Sequence, residues 1–479
     1  MVTALKRPPG AKRALGWSVM NTAMSKVGTL LIGVVIARVL GPEDFGTYAI
    51  ALVALTAILS FNELGVSLAI IRWPGDPRTI APTVTTISVA ASVLIAVLAW
   101  IAAPAFAVAM GDESAAGVVQ LMVVCVPLNG LVATAAALLQ RDFLQGRRTI
   151  ADQVNTWLGA VISVLLALGG LGAMSLAIGR VAASVVFVVL LLWFSPAPLR
   201  FGWDRTIVGA LLRFGLPLAA ASIVVFLVGY ADQLVVGAAL GAQALGFYVL
   251  AANLAGWPVS MFSQPVRAIT PAVFARLQSD PTHLDSAFRA TFRLLTAAAL
   301  PVCGFLAGGA LPIITFVYGE VWAPAALALQ WLAVTAAVRI CFELAYDFLS
   351  VRHRSMTLMG IQIAWLVLLV PAVVLGSQVA GIAGVAFAQA MVGVVILVGG
   401  YGWALASTGV DVRRLASNAL LPAISALVVG VAAWVFAQVV EAGVVAILGG
   451  GLVTVAVAAG TIALSRGSIR VLSRGSGGS

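Results

Sequence analysis

The stretch IAPTVTTISVAASVLIAVLAWIAAPAFAVA, residues 80–109, contains no charged residue. It is longer than the roughly 20 apolar residues that a helix needs to cross a bilayer. Similar apolar runs recur from residue 14 to residue 464 of this 479-residue chain. Only 9% of the residues are charged, whereas soluble domains have about 25%. The sequence therefore predicts an integral membrane protein without a soluble domain of ordinary size.

The predicted spans are α-helices, because each run is continuously apolar and lacks the polar–apolar alternation of membrane-barrel strands. Dividing the chain at polar clusters and at Gly or Pro residues gives fourteen helices. They cover residues 14–39, 46–71, 80–109, 115–139, 150–170, 172–194, 210–239, 246–268, 289–316, 323–346, 356–375, 380–404, 414–437 and 441–464. The predicted fold class is an all-α polytopic membrane protein with 14 transmembrane helices.

The distribution of basic residues orients these helices. Of the 27 Lys and Arg residues, four lie inside predicted spans away from their cytoplasmic ends: Lys26, Arg38, Arg180 and Arg339. If the N-terminus is cytoplasmic, the other 23 lie in predicted cytoplasmic segments or at the cytoplasmic ends of spans, as the positive-inside rule requires. We therefore expect a multi-pass protein of the cell (inner, cytoplasmic) membrane with both termini in the cytoplasm. The net charge of +10 then needs no nucleic acid as a partner.

The sequence also contains an internal repeat with an offset of about 200 residues. The matched pairs are LGPEDFGTY (40–48) with LGAQALGFY (240–248), DFLQGR (142–147) with DFLSVR (347–352), and, more weakly, 172–180 with 381–389. Their order predicts two six-helix repeats. Because six is an even number, both repeats insert in the same orientation, a parallel arrangement in which substrate sites lie at the repeat interface.

The repeat defines the predicted domain boundaries. An N-terminal lobe (residues 1–200, helices 1–6) is followed by a C-terminal lobe (201–405, helices 7–12). Two extra C-terminal helices occupy residues 406–465. Residues 466–479 are rich in Gly, Ser and Arg and predict a disordered cytoplasmic tail.

Several motifs carry a resemblance to a known family. They are LGPEDFGTY (40–48), QRDF (140–143), LGAQALGFY (240–248), PAVFARLQ (271–278) and YGEVW (318–322). Over residues 12–405 the chain resembles the polysaccharide transporter (oligosaccharide-lipid flippase) family of the multidrug/oligosaccharidyl-lipid/polysaccharide (MOP) exporter superfamily. The resemblance implies a V-shaped pair of lobes that flips lipid-linked oligosaccharides by alternating access.

The expected function is therefore export of undecaprenyl-diphosphate-linked oligosaccharide repeat units from the inner to the outer leaflet, for cell-surface polysaccharide biosynthesis. Partners would be the lipid-linked oligosaccharide and membrane lipids, with a polysaccharide polymerase and glycosyltransferases as further candidates. Alternatives are a lipid II (peptidoglycan precursor) flippase and a multidrug or cation antiporter of the same superfamily. We expect no enzyme activity, catalytic residue, metal or cofactor, and the sequence has no GxxxxGK[ST] phosphate loop.

Polar residues inside the predicted helices are the candidates for the site. An ionisable side chain costs about 2.5–3.5 kcal/mol at a helix centre on insertion scales, so it should face a cavity or a partner. Lys26 shares one helical stripe with Thr22 and Thr29 and is expected to contact the substrate diphosphate, or else to pair with Glu63 or Asp232. The full set of predicted substrate-binding residues is Lys26, Thr22, Thr29, Arg180, Asn21, Asn62, Gln233, Asn253 and Gln264.

Three other assignments concern charge balance. Glu63 and Asp232 are candidates for proton or ion coupling, and structural pairing is the alternative for both. Arg339 and Glu343 are four residues apart on one helix, and this spacing favours a structural ion pair.

Overall fold

The computed structural model describes residues 11–61, 65–142, 144–267, 269–278, 280–439 and 443–464. Within its helices, the side chains of residues 11–27, 29–31, 271–272, 281 and 443–446 are not described. All regular secondary structure in the described ranges is helical. Eleven helices there are long and apolar enough to cross a membrane, so the predicted all-helical polytopic fold is confirmed.

The helices follow one another along the whole described chain. They are α1 (Ala11–Leu59), α2 (Ser67–Arg72), α3 (Pro77–Ala109), α4 (Ala115–Val123), α5 (Cys125–Arg141), α6 (Gln145–Leu168), α7 (Ala173–Phe194), α8 (Arg205–Pro258), α9 (Gln264–Arg267), α10 (Thr270–Arg276), α11 (Pro281–Gly308), α12 (Ala310–Tyr318), α13 (Ala325–Val351), α14 (Ser355–Val395), α15 (Gly402–Ala406), α16 (Val412–Val439) and α17 (Gly443–Leu464). Two π-helical turns, Val259–Ser263 and Ile396–Tyr401, follow α8 and α14.

Three of the long helices contain a break. In α1 and α8 the break is a glycine with positive φ, 73° at Gly41 and 83° at Gly241. Glycine adopts such angles without the steric cost of a Cβ atom, which explains why both copies of the LG motif carry it. In α14 the break includes Gly381 (φ 55°, ψ −136°), and Gly172 before α7 has nearly the same angles (54°, −138°).

Several helices differ in detail from the predicted spans, and two of the differences have a clear local cause. The span expected at 246–268 contains the π-helical turn Val259–Ser263 and then the short α9. Helix α11 begins at Pro281, before the expected residue 289, because Asp280 caps it. The Asp280 side chain accepts hydrogen bonds from the backbone N–H groups of Thr282 and His283, and this satisfies donors that a helix N-terminus leaves unpaired.

By their internal contacts, the described residues form two compact units. The first comprises the described parts of 1–40, 62–97 and 121–216, and the second those of 41–61, 98–120 and 217–479. In the first unit, the Arg141 guanidinium donates to the carbonyl oxygens of Ile70 and Trp73 at the end of α2, at 2.5 and 3.0 Å. In the second unit, residues 41–61 and 98–120 pack with the described residues of the segment 217–479.

The last long helices join the second unit through small residues. A Cβ atom added at Gly304 would overlap the carbonyl oxygen of Ala426, and one added at Gly308 would overlap that of Gly430. Close backbone approach of this kind gives van der Waals contact where lipid supplies no hydrophobic driving force. Helices α11 and α16 are thus packed at their backbones.

Candidate functional site

A cavity of about 720 Å³ lies within the second unit. Both arms of α8 contribute to its wall, with further residues from the end of α1, from α13 and from α14. Its polar lining residues are Ser60, Ser222, Tyr230, Asp232, Gln233, Asn253, Thr335, Arg339 and Gln389. A wall of amides, hydroxyls and a guanidinium inside a membrane protein is costly unless it meets water or a polar ligand.

Asp232 is a buried carboxylate on this wall, only 4% exposed. Its Oδ2 accepts hydrogen bonds from the Tyr248 hydroxyl (2.8 Å) and from the Gln389 side-chain amide (3.1 Å). Its Oδ1 is buried and has no hydrogen-bond partner among the described residues. A buried oxygen without a partner is destabilising, so Oδ1 is a candidate position for binding a proton or a cation.

A second cluster of charged side chains lies on α13. Arg339, Glu343 and Asp347 follow one another there at intervals of four residues. Arg339 Nε donates to Glu343 Oε1 at 2.9 Å. Arg267, from α9, binds Asp347 through Nε and Nη2 at 2.9 and 3.0 Å, and its Nη1 lies 3.6 Å from Glu343 Oε1. Ser263, in the π-helical turn, donates to Glu343 Oε2 at 2.6 Å. The buried carboxylates of Glu343 and Asp347 are therefore matched by two arginines.

The predicted site residues divide into three groups. Gln233, Asn253 and Asp232 lie together on the cavity wall. Gln264 is exposed on α9 and is not part of that wall, and Arg180 is exposed on α7 in the first unit.

The third group of predicted site residues belongs to the parts of the chain that are not described. Asn62 and Glu63, and the side chains of Asn21, Thr22, Lys26 and Thr29, lie outside the described residues.

Sequence reasoning missed most of the partners in these clusters. Tyr248 was visible as the last residue of the LGAQALGFY motif, and Gln389 as the residue matching Arg180 in the repeat, but neither position suggested a contact with Asp232. Ser263 and Arg267 gave no signal, because the π-helical turn that places them interrupts the helical periodicity.

The two LG motifs cross each other in the second unit. A Cβ atom at Gly46 would overlap the carbonyl oxygen of Ala242, and one at Gly246 would lie 2.5 Å from that of Pro42. Pro42 and Ala242 hold matching positions in the two motifs, as do Gly46 and Gly246. We call these four residues the glycine junction. The conserved spacing within the repeat thus corresponds to a reciprocal contact between backbones.

An aromatic cluster covers the glycine junction. Trp322 is 1% exposed. Its ring centroid lies 5.5 Å from that of Phe45 and 5.8 Å from that of Phe247, and both pairs meet edge to face. Aromatic pairs in this geometry contribute about 0.5–1.5 kcal/mol beyond their area burial. Gly46 and Gly246 are buried beside this cluster, and the junction is closely packed.

A loop carboxylate next to the junction is held by hydrogen bonds. Thr47 Oγ1 donates to Asp112 Oδ2 at 2.6 Å, and Ser114 donates to Oδ1 through its hydroxyl. Partial burial raises the pKa of Asp112, but these hydrogen bonds outweigh the burial and leave the pKa below its ordinary value. Asp112 therefore stays ionised at neutral pH and keeps the loop in contact with the helix that carries Gly46.

Comparison with known proteins identifies a family and several relatives of this chain. The polysaccharide biosynthesis protein family matches residues 35–327. The succinoglycan biosynthesis transport protein ExoT of Rhizobium meliloti (strain 1021) is 26% identical over 330 residues, which cover 68% of this chain and 66%, just under two thirds, of that protein. The lipopolysaccharide biosynthesis protein WzxC of Escherichia coli (strain K12) is 23% identical over 371 residues, which cover 77% and 75%.

The fold is also similar to that of a solved transporter. The lipid II flippase MurJ, in an inward closed conformation, superposes with a TM-score of 0.76 at 14% identity, over 93% of this chain and 97% of that one. The helical fold and its polar cavity define a multi-pass membrane protein with the fold of that flippase. Within that class, the chain belongs to the polysaccharide biosynthesis protein family, which matches more than half of its length. The predicted resemblance is confirmed.

Proposed function

We propose that this protein moves undecaprenyl-diphosphate-linked oligosaccharide repeat units from the inner to the outer leaflet of the cytoplasmic membrane, for cell-surface polysaccharide biosynthesis. The observation that carries the proposal is the polar cavity of about 720 Å³ in a transporter of this family. Each sugar hydroxyl loses several kcal/mol in hydrocarbon when it has no hydrogen-bond partner. The amides of Gln233 and Asn253 supply such partners.

The proposed mechanism is alternating access, with the polyprenyl tail left in the lipid. In this mechanism the cavity hydrates the glycan while it is closed to one side of the membrane, so no continuous aqueous path crosses the bilayer. The glycine junction is the proposed external closure, because its two glycines are buried and closely packed. We propose no catalytic residue, and a polymerase and glycosyltransferases are the proposed partners that use and supply the substrate.

We further propose fourteen spans in two parallel six-helix repeats, with two extra helices and both termini in the cytoplasm. Support comes from the breaks at Gly41, Gly241 and Gly381, which divide three of the eleven long helices into two. The matching backbone angles at Gly172 and Gly381 support the repeat independently.

The driving force we propose is electrical, with ion exchange at Asp232 as a second contribution. One elementary charge crossing 100 mV is worth about 2.3 kcal/mol, so an uncompensated diphosphate leaving a negative interior gains about twice that. Asp232 is proposed to bind a proton or cation because its Oδ1 lacks a partner. Lys26, Arg180 and Glu63 remain proposed contributors to binding and coupling.

The chosen test of the function is made in cells. Deleting the gene should cause the lipid-linked oligosaccharide to accumulate on the cytoplasmic leaflet, whereas accumulation of lipid II there would favour the alternative that the likeness to MurJ suggests. Loss of resistance to organic cations, with normal surface polysaccharide, would instead indicate a multidrug antiporter. Re-expression of the wild-type chain is the control.

A further inference from the structure

Arg339 holds its guanidinium at the surface of the cavity. Its side chain is 58% exposed, whereas that of Glu343, its partner, is 7% exposed. The recorded contact between them uses the Nε atom of Arg339. Among the described residues, the two terminal nitrogens Nη1 and Nη2 make no hydrogen bond. Glu343 therefore holds the guanidinium through Nε, and Nη1 and Nη2 are available to a ligand in the cavity that Arg339 lines.

The anchor is itself held in place. Ser263 donates to Glu343 Oε2, the oxygen that Arg339 does not use, at 2.6 Å. Arg267 binds Asp347 through two hydrogen bonds and so neutralises the neighbouring acid on α13. Glu343 contacts both arginines, because Arg267 Nη1 lies 3.6 Å from its Oε1, while Asp347 pairs with Arg267. Both oxygens of Glu343 are therefore engaged, and the carboxylate that holds Arg339 has a fixed orientation.

The charges on the cavity wall also point to an anionic ligand. Arg339 is the single basic residue among the described residues that line the cavity. The acid on the same wall, Asp232, is buried and already accepts hydrogen bonds from Tyr248 and Gln389. The guanidinium is thus the group on this wall that attracts an anion. Two parallel N–H donors in a fork match the oxygens of a phosphate group.

We propose that Arg339 binds a phosphate of the lipid diphosphate in the cavity, and that Glu343 and Ser263 are positioning residues that orient its guanidinium. This inference rests on the proposed function and replaces the purely structural role that the spacing of Arg339 and Glu343 suggested. The ligand class is a phosphate-bearing lipid anion. In this arrangement the π-helical turn Val259–Ser263 positions the Ser263 hydroxyl for its hydrogen bond to Glu343.

The test compares two lipids that differ in the diphosphate. The purified full-length protein in detergent is titrated with undecaprenyl diphosphate and with undecaprenol, and binding is measured by native mass spectrometry. Arg339→Gln should weaken undecaprenyl diphosphate binding about tenfold or more, as expected for loss of charge-assisted hydrogen bonds, and should leave undecaprenol binding unchanged. The affinity ratio of the two lipids is thus the readout, and a merely structural role would not change it selectively.

The matched control is Arg289→Gln. Arg289 forms an i,i+4 ion pair with Asp285 on α11 at 2.9 Å, in the same spacing as Arg339 and Glu343, but lies outside the cavity wall. Its affinity ratio should equal that of the wild type. Arg339→Lys keeps the charge without the fork and should give an intermediate ratio. Ser263→Ala should lower the ratio less than Arg339→Gln does.

The outcomes separate the two proposals. If the wild type prefers undecaprenyl diphosphate and Arg339→Gln keeps the same preference, the role of Arg339 is overturned while the function stands. If the wild type shows no preference, the proposed function fails too. If Arg339→Gln does not fold, as judged by thermal unfolding, the lysine and Ser263→Ala variants decide: wild-type ratios in both would overturn the proposal.

Discussion

The cavity and the glycine junction are built from the same helices but have opposite surfaces. On α8, Gln233 lies in the cavity and Ala242 in the glycine junction only nine residues later, roughly 13 Å along a helix. The cavity wall carries amides and charges around open space, whereas at the junction a single added Cβ atom would meet backbone. Within a few turns, side-chain size decides whether two helices close together or leave room for a ligand.

The largest effect is expected from a substitution that forces the two backbones of the glycine junction apart. Gly46→Val should destabilise the protein by about 3 kcal/mol, the upper end for overpacking, because the overlap is with the Ala242 carbonyl, which cannot rotate away. We expect flipping in liposomes to be abolished. Thermal unfolding and the flipping rate are the measurements. Gly360→Val is the matched control, since a Cβ atom there meets nothing within 4 Å; a Gly46→Val protein as stable and active as this control would refute the junction.

An intermediate effect is expected from the buried carboxylate of the cavity. Asp232→Asn removes the charge but keeps an oxygen that can accept from Tyr248. Because hydrogen bonds to charged groups contribute about 1.5–3 kcal/mol, we expect flipping to slow about 10- to 100-fold and to lose its response to an imposed proton or cation gradient. Tyr248→Phe keeps the charge and should retain that response. An Asp232→Asn protein with a wild-type gradient response would show that coupling lies elsewhere.

The smallest effect is expected from a neutral amide on the cavity wall. Gln233→Leu should slow flipping about two- to tenfold, because one neutral hydrogen bond contributes about 0.5–1.5 kcal/mol. Thermal stability should not fall, since the position faces the cavity. Gln438→Leu, at an exposed position of α16, makes the same chemical change outside the cavity. Equal rates for the two variants would mean that the cavity wall does not contact the glycan.

The sequence was informative wherever the chain itself carries the signal. Long apolar runs predict helices because nothing else satisfies the backbone in lipid, and the paired LG motifs mark the breaks at Gly41 and Gly241. The contacts across the fold were not predictable. Arg267 and Asp347 are 80 residues apart and interact only because a π-helical turn shifts the register before α9. Likewise, the two motifs could be aligned, but nothing in them indicated that Gly46 and Gly246 touch.

The most direct test of the account is to block the cavity chemically. Cys125, Cys303 and Cys341 are buried, so Asn253→Cys adds an accessible thiol on the cavity wall. Liposomes with this variant would be assayed for flipping of an undecaprenyl-diphosphate-linked oligosaccharide before and after reaction with a bulky thiol reagent. We predict that labelling stops flipping by the variant and leaves the wild type unaffected. Full flipping by the completely labelled variant would contradict the claim that the glycan passes through this cavity.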